Sequence, residues 1–364
     1  MMKKINLYSD VLGTFGYTRS LLFDSLKCEI HFLDNAVFSE LKANEFRNIS
    51  IDTVEQSFQD YLFDNNLIFD VHEDIANSFP LINLEWDFPS IISNAVICVT
   101  EKNCEFLNNI LDLNFVSHFN FVFQDEINIA SLELLFHFIQ NQSCDSIELT
   151  FTNPIDDNFK NELELLIMNT KKIIGFNNYA KVEFISLVEL DELKFNRHMN
   201  NLHRLDIRLS RSLDHYAEAQ NHHTYFNRKL FIDKTGEIKN APEQTHTFGN
   251  LGQINSVHDL HNIVSTEEFK SHWFIRKDNT DVCKDCEFRY LCTDNRLPIQ
   301  RNVGEWYHES ECGYNPYICK WDDEEGYLSL TDCNVRSNEN GFSIDHKKIE
   351  LINESLWTEE IEVE

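Results

Sequence analysis

Six cysteines, Cys283, Cys286, Cys292, Cys312, Cys319 and Cys333, crowd toward the carboxyl end of a 364-residue chain, while Cys28, Cys98, Cys104 and Cys144 are scattered. The run from Cys283 through Lys284, Asp285, Cys286, Glu287, Phe288, Arg289, Tyr290 and Leu291 to Cys292 has the spacing CxxCx5C. A two-residue spacer lets the chain fold back over an ion and aim two thiolates at it, and further soft ligands complete a tetrahedral set. Zinc and a [4Fe-4S] cluster both accept four thiolates, so spacing alone leaves the metal open. Phe288, Tyr290, Trp306, Tyr307, Tyr314, Tyr317 and Trp321 flank these cysteines and would shield a cluster, which leans toward iron, although aromatic side chains also fill ordinary cores. A disulfide framework is the rival, but it belongs to short exported chains.

Nothing in the sequence marks export. The opening MMKKINLYSDVLG leads into no apolar run of secretory length, and no later stretch approaches roughly 18 uncharged apolar residues. The expectation is a soluble cytoplasmic protein without a membrane partner. Thirty-one Lys and Arg against 61 Asp and Glu give a net charge of -30, which repels phosphate backbones and anionic lipid, so nucleic acid is also a poor partner. Glycine numbers only 10, and GxGxxG, GxxxxGK[ST], GxSxG and HExxH are all missing from the sequence, which removes the common nucleotide loops and hydrolase signatures. His203, His215, His222 and His223, the Asp322 to Glu325 run and the acidic tail to Glu364 read as polar surface and solvated charge.

The elements that must position the cysteines are legible in the hydrophobic pattern. Phe119, Phe121 and Phe123 alternate as in a strand, followed by Leu132, Leu135, Phe136 and Ile139 at helical spacing. The same strand-then-helix alternation follows in Ile147, Leu149 and Phe151, then Phe159, Leu163, Leu166 and Ile167. Repeated βα units predict a parallel sheet with outer helices, hence an α/β fold class. Before it, Leu21 to Phe23 with Cys28, Ile30 and Phe32 predict a hairpin. Val37, Phe38 and Leu41 predict one helix, and Val54, Phe58, Tyr61 and Leu62 a second.

A family resemblance rests on an ordered set of motifs. The strand Leu230-Phe231-Ile232, the turn Asp233-Lys234-Thr235-Gly236, the loop Thr247-Phe248-Gly249-Asn250-Leu251-Gly252, a helical segment near Glu267 to Trp273 and CxxCx5C resemble, in that order, the SPASM domain. This is the auxiliary-cluster domain of peptide-modifying radical SAM enzymes, and the likeness covers residues from about 225 to 320. A full SPASM domain binds two clusters. Here Asn240-Ala241-Pro242 stands where the first cysteine would follow the hairpin, and Arg296 stands where CxxCx5C would continue as x3C. The resemblance therefore implies one remaining [4Fe-4S] cluster, held by Cys283, Cys286, Cys292 and Cys312. Cys319 is the rival fourth ligand, and Cys312 is preferred because Gly313 lets backbone approach a ligand sphere closely. Cys333 reads as a surface thiol and the scattered four as small core residues.

The CxxxCxxC that would hold the SAM-cleaving cluster has no counterpart, and Gln124-Asp125-Glu126 stands where that family has a Gly-Gly-Glu turn. The resemblance implies a degenerate partial (β/α) barrel without SAM cleavage. The first residues are similar to winged-helix-like, PqqD-like modules that add a leader peptide as an extra strand at a sheet edge. The expected organisation is thus 1–80 as a peptide-recognition module, 81–224 as the degenerate barrel, 225–325 as the SPASM-like cysteine-rich domain and 326–364 as an extension. Taken whole, the chain resembles the SPASM domain peptide maturases of the grasp-with-spasm system, which implies a precursor peptide and an ATP-grasp ligase as partners. The sequence offers no nucleophile or base for the chemistry and leaves open whether the chain is catalytic. Two alternatives stand beside this reading: a zinc-stapled peptide-binding scaffold without redox role, and a cluster enzyme acting directly on the peptide.

Overall fold

The structure is a computed structural model. It describes the chain outside residues 1–3, 51–54, 111–114, 125–127, 140–143, 154–156, 169–172, 179–182, 187–208 and 359–364. The chain divides into two compact units. One comprises Met1–Trp86, Arg208–Thr224 and Ile275–Glu364, the other Asp87–Ile207 and Tyr225–Phe274. No helix among the described residues is long and apolar enough to cross a membrane.

The first unit opens with β1 (Lys4–Leu7), β2 (Val11–Thr14), β3 (Arg19–Asp24), β4 (Glu29–Asp34), α1 (Asn35–Ala43), β5 (Ile49–Ser50), α2 (Gln56–Asp64) and β6 (Ile68–Val71). These strands form two antiparallel sheets, in the orders β5-β1-β6 and β2-β3-β4. The expected hairpin is β3–β4, with Leu21 opposite Phe32 and Phe23 opposite Ile30. Cys28 is not a strand residue: it sits exposed in the connecting turn with φ 58, a conformation that interrupts the pleat. Phe38 and Leu41 stand three apart on α1, so they share a face, and they bury with Leu62, Ile5, Leu22 and Ile49. Val54 lies outside the described residues.

The second unit is built on β7 (Ile92–Val99), α3 (Glu101–Ile110), β8 (Val116–Phe123), α4 (Ile129–Ile139), β9 (Ser146–Phe151), α5 (Asp157–Met168), β10 (Ile173–Asn178) and β11 (Glu183–Ser186). After α6 (Leu213–Ala219), which belongs to the first unit, the chain adds β12 (Lys229–Ile232), β13 (Ile238–Lys239) and α7 (Val257–Val264). One seven-stranded sheet results, ordered β11-β10-β9-β8-β7-β12-β13, with five parallel strands between two antiparallel edges. The predicted alternation on β8 holds: Phe119, Phe121 and Phe123 bury against Leu132, Leu135 and Phe136 of α4, Leu107 of α3 and Leu163 of α5. The opposite face carries polar rungs across β8 and β9, with Thr150 Oγ1 donating to Asn120 Oδ1 at 2.9 Å and His118 Nδ1 2.6 Å from Ser146 Oγ.

These units cut the chain elsewhere than the four segments expected from sequence. Residues 225–274 join the sheet because β12 pairs in parallel with β7, and Leu230, Ile232, Ile238, Leu251, Leu260 and Trp273 bury in the sheet's own core. The N-terminal sheets, conversely, share a unit with the cysteines. In the turn between β12 and β13, Gly236 takes φ +84, which a side chain would strain. Asp233 Oδ1 accepts from the backbone N–H groups of Thr235 and Glu237 and from the Thr235 hydroxyl, and Lys239 lies 3.2 Å from Oδ2. Partial burial works against the Asp233 charge, but these donors win and hold its carboxyl below the usual range.

The first unit resumes with the hairpin β14 (Ile299–Asn302) and β15 (Glu305–Tyr307), the two-residue strands β16 (Tyr314–Asn315) and β17 (Lys320–Trp321), the hairpin β18 (Arg336–Asn338) and β19 (Gly341–Ser343), and α8 (His346–Thr358). Tyr317, Ile318, Leu330, Cys333, Val335 and Ile349 form its small core.

Two outcomes are expected in denaturation. Phe121→Ala removes a fully buried ring and lowers stability by about 3–5 kcal/mol. Asp233→Ala costs about 1–2 kcal/mol at pH 7. Because the folded carboxyl titrates below its unfolded value, this second difference is complete above pH ~4 and shrinks as acid protonates the folded group, so urea midpoints at pH 7 and pH 3 check it.

Candidate metal centre

The cysteine loop is short of regular structure, so local turns and side-chain cross-links set its shape. Cys283 N donates to Asp281 O at 2.7 Å across Val282, which has φ 65 and ψ -48. This is a γ-turn with a β-branched residue at positive φ, a strained conformation that needs its surroundings to hold it. Asp281 N donates to Trp306 O on one side, and the short helical turn Cys283–Asp285 follows on the other, returning Cys286 N to Cys283 O at 3.1 Å. The turn brings the CxxC pair back on itself as the spacing predicts.

Cys283 is buried, and Cys286, Cys292 and Cys312 are half-buried. Burial pushes the Cys283 thiol up to about 12 and Cys292 up to about 11, and raises Cys286 well above the ordinary value. Each also feels its neighbours. Cys292 raises both Cys283 and Cys286, Cys283 raises Cys286, and Cys312 raises Cys292. Cys292 is thus within electrostatic reach of each of the other three. Burial and the Glu287 carboxylate raise Cys319, opposed by Arg19, and the same Glu287 also raises Cys286. Cys333, expected as a surface thiol, is fully buried in the core under α8, where Asn315 Nδ2 approaches its Sγ at 3.4 Å. Of the scattered cysteines, Cys98, Cys104 and Cys144 are the small core residues expected, and Cys28 is exposed. All ten are free of disulfides.

Around these sulfurs stand groups that spacing did not announce. Arg296, at the position of the missing x3C cysteine, directs Nη2 to Cys283 Sγ at 3.8 Å and donates to both oxygens of Asp294 and to Ser310 O. Burial opposes the Asp294 charge, but the guanidinium prevails and holds the carboxyl well below the usual range. His308 Nε2 lies 3.6 Å from Asp294 Oδ2. Cys283, Asp294 and His308 offer ligand atoms within 4.8 Å of one another, the one such trio among the described residues. His215 Nε2 is 3.3 Å from Cys292 O, to which Thr224 Oγ1 also donates. Burial drops both His215 and His308 to about 4, so each imidazole is neutral. Lys277 is 5% exposed, and its Nζ has no hydrogen-bond acceptor. Of the four histidines grouped from the sequence, His215 thus serves the cysteine loop, His222 lies with its ring tilted against Trp86 and His223 is buried. His203 lies outside the described residues.

The centre is tied to the N-terminal sheets within the same unit. Arg19 Nε on β3 donates to Glu287 Oε1 at 2.8 Å, the residue next to Cys286. The guanidinium lies 3.6 Å over the Phe32 ring of β4, Phe32 meets Phe288 edge-on, and Tyr314 OH donates to the same Glu287 oxygen. Gly16 completes the joint: a Cβ there would stand 2.3 Å from Arg19 O and 2.9 Å from Glu287 Cβ. The Glu287 side chain is wholly buried.

The donor set fits a soft-metal group. Cys292 lies in electrostatic reach of Cys283, Cys286 and Cys312, and Arg296 Nη2 stands 3.8 Å from Cys283 Sγ, which suits the negative charge that a metal thiolate carries. Compared with known proteins, the chain matches no family model, no curated protein and no solved structure.

Arg19→Ala leaves the Glu287 carboxylate dry and unpaired, and is expected to cost about 3–5 kcal/mol. The double change Arg19→Met with Glu287→Leu removes both charges and should be milder than Arg19→Ala alone, as thermal melts of the three proteins would show.

Proposed function

We propose that this protein takes part in maturing a ribosomally made precursor peptide alongside an ATP-grasp ligase in the cytoplasm. In this reading a SPASM-like centre holds one [4Fe-4S] cluster on Cys283, Cys286, Cys292 and Cys312. The chain recognises and presents the peptide, and the cluster ties together a segment with little regular structure. When bound, such a group supplies folding energy and one-electron chemistry. The observation that carries the reading is the turn that brings Cys286 N back to Cys283 O, with Cys292 in electrostatic reach of Cys283, Cys286 and Cys312.

Other features agree with it. The strands β7, β8, β9 and β10 follow one another in the sheet with α3, α4 and α5 packed on one face, the wiring of a (β/α) barrel segment. Cys104 on α3 is buried in that core and Cys98 on β7 is buried too, and no third cysteine stands near them at the CxxxCxxC spacing of a SAM-cleaving cluster. At the recognition end, β4 is an edge of its sheet among the described residues, and Phe32 on it is 40% exposed, which suits addition of a peptide strand.

A second reading has its own support. Cys283, Asp294 and His308 offer zinc a mixed sulfur, oxygen and nitrogen set in a peptide-binding scaffold without redox role. Arg296 argues against it, because it already occupies both Asp294 oxygens.

Full-length protein purified without oxygen should contain iron and acid-labile sulfide and absorb broadly near ~400 nm. Cys283→Ala, Cys286→Ala, Cys292→Ala and Cys312→Ala should each lose iron, whereas Cys319→Ala and Cys333→Ala should retain it. His308→Gln separates the readings, since it leaves an all-cysteine cluster loaded and strips a zinc ion held by His308. Zinc without sulfide in the wild-type protein, or calorimetric binding of S-adenosylmethionine, overturns the first reading.

A further inference from the structure

Strand β4 runs for six residues and, among the described residues, pairs with β3 on one side only. The opposite edge of the same sheet is closed off: β2 is mostly buried, and Tyr216 OH donates to Gly13 O there. On β4, by contrast, Glu29, Phe32 and Asp34 are exposed. An unpaired row of backbone N–H and C=O groups of this length is a template for another extended chain.

Helix α2 flanks that edge. His31 of β4 has its Nδ1 2.8 Å from Tyr61 OH of α2, with the two rings edge to face, and the exposed Tyr61 stacks on Phe58 one turn earlier. His31 is 6% exposed, yet its Nε2 has no hydrogen-bond partner and is turned toward Glu29 Oε2, 3.9 Å away. A buried ring nitrogen in that condition carries a desolvation cost that a docked polar group would relieve.

The charges on both flanks have one sign. Glu29 and Asp34 end β4, Asp60 and Asp64 lie on α2 with Glu55 at its N-cap, and all of them are exposed. Neither element contains Lys or Arg, and none of these carboxylates has a Lys or Arg ion pair among the described residues. Two neighbouring cations are already engaged, Lys27 with Asp24 at 2.8 Å and Arg19, which covers the Phe32 ring, with Glu287.

We infer that β4 and α2 dock an extended peptide segment that carries several Lys or Arg side chains and an apolar side chain to lie on Phe32. The inference rests on the peptide-recognition reading above and adds the chemical class of the segment. Backbone pairing with β4 sets the register, the exposed aromatic rings supply apolar contact, and the carboxylates select for positive charge and speed the encounter. An acidic segment at the same edge meets like charges on both sides and is rejected.

The test uses full-length protein and three labelled peptides, KVKFKVK, QVQFQVQ and EVEFEVE, with affinity read by fluorescence anisotropy and location by hydrogen exchange. KVKFKVK should bind tightest, slow exchange at residues 29–34 and weaken with added salt. Glu29→Lys with Asp34→Lys, and separately Asp60→Lys with Asp64→Lys, should each weaken it about tenfold. These positions are exposed, so the variants should melt close to the wild-type protein. Equal affinity for the basic and acidic peptides, or charge reversal without effect, overturns the inference. Binding of KVKFKVK without slowed exchange at residues 29–34 places it elsewhere and overturns the inference too. Slowed exchange there with QVQFQVQ or EVEFEVE but not with KVKFKVK overturns the choice of charge and leaves strand recognition at β4 standing. Slowed exchange with none of the three overturns recognition at β4 itself.

Discussion

An ion pair between Arg19 and the wholly buried Glu287 joins the N-terminal sheets of the first unit to its cysteine segment, beside the bonds of Tyr17 and Thr18 to the same part of the chain. Residues 275–345 have strands of two to four residues and helical turns of three, so backbone ladders alone give this segment little rigidity. Its shape comes from side chains spanning the loops: Glu287 to Arg19 and Tyr314, Asp294 to Arg296, Asp281 to Arg301 and Lys284, and Asp285 to Tyr317. In each case an acid is paired close to the cysteines. A carboxylate left unpaired there would be costly in its own right and would compete with thiolates for any cation that entered.

That organisation changes how the N-terminal residues are to be understood. The hairpin β3–β4 resembles a recognition module by pattern, yet its Arg19, Phe32 and Gly16 complete the packing around Glu287. Cys286 lies one residue from that joint, so the geometry of the metal loop and the outer edge of the β2-β3-β4 sheet are linked through a few side chains of one compact unit. A peptide strand laid against β4 would add its backbone next to the strand that carries Phe32, and Phe32 covers the guanidinium that holds Glu287. The coupling needs no long path, since it consists of contacts already made.

Much of the second unit could be read from hydrophobic period alone. Phe119, Phe121 and Phe123 lie on one face of β8 as their alternation requires, and Leu132, Leu135 and Phe136 meet them from α4. The place of residues 225–274 could not be read this way. The pairing of β12 with β7 joins positions far apart in sequence, and nothing local in Leu230-Phe231-Ile232 names its neighbour. In the cysteine loop, residue type and spacing marked Cys283, Cys286 and Cys292, because CxxCx5C is a geometric statement about a turn, while the choice of Cys312 came from the resemblance. The helpers were hidden for the opposite reason. Lys277, Asp294 and His308 are ordinary polar residues whose meaning comes from burial, and one sequence without structure does not disclose burial. Arg296 did leave a trace, as a cation standing where the resembled pattern has a cysteine.

That exchange has a physical consequence for the centre as a whole. A thiolate at position 296 would add negative charge to an already crowded group of sulfurs, whereas arginine subtracts it and brings five N–H donors. They are directed to Asp294, to Ser310 O and toward Cys283 Sγ. Arg296 thus stands beside Cys283 Sγ with its charge met by Asp294, and the imidazoles of His215 and His308 are kept neutral by burial. With the acids of this segment already paired to Arg, Lys and Tyr side chains, sulfur is left as the donor type that a soft metal would meet on this loop.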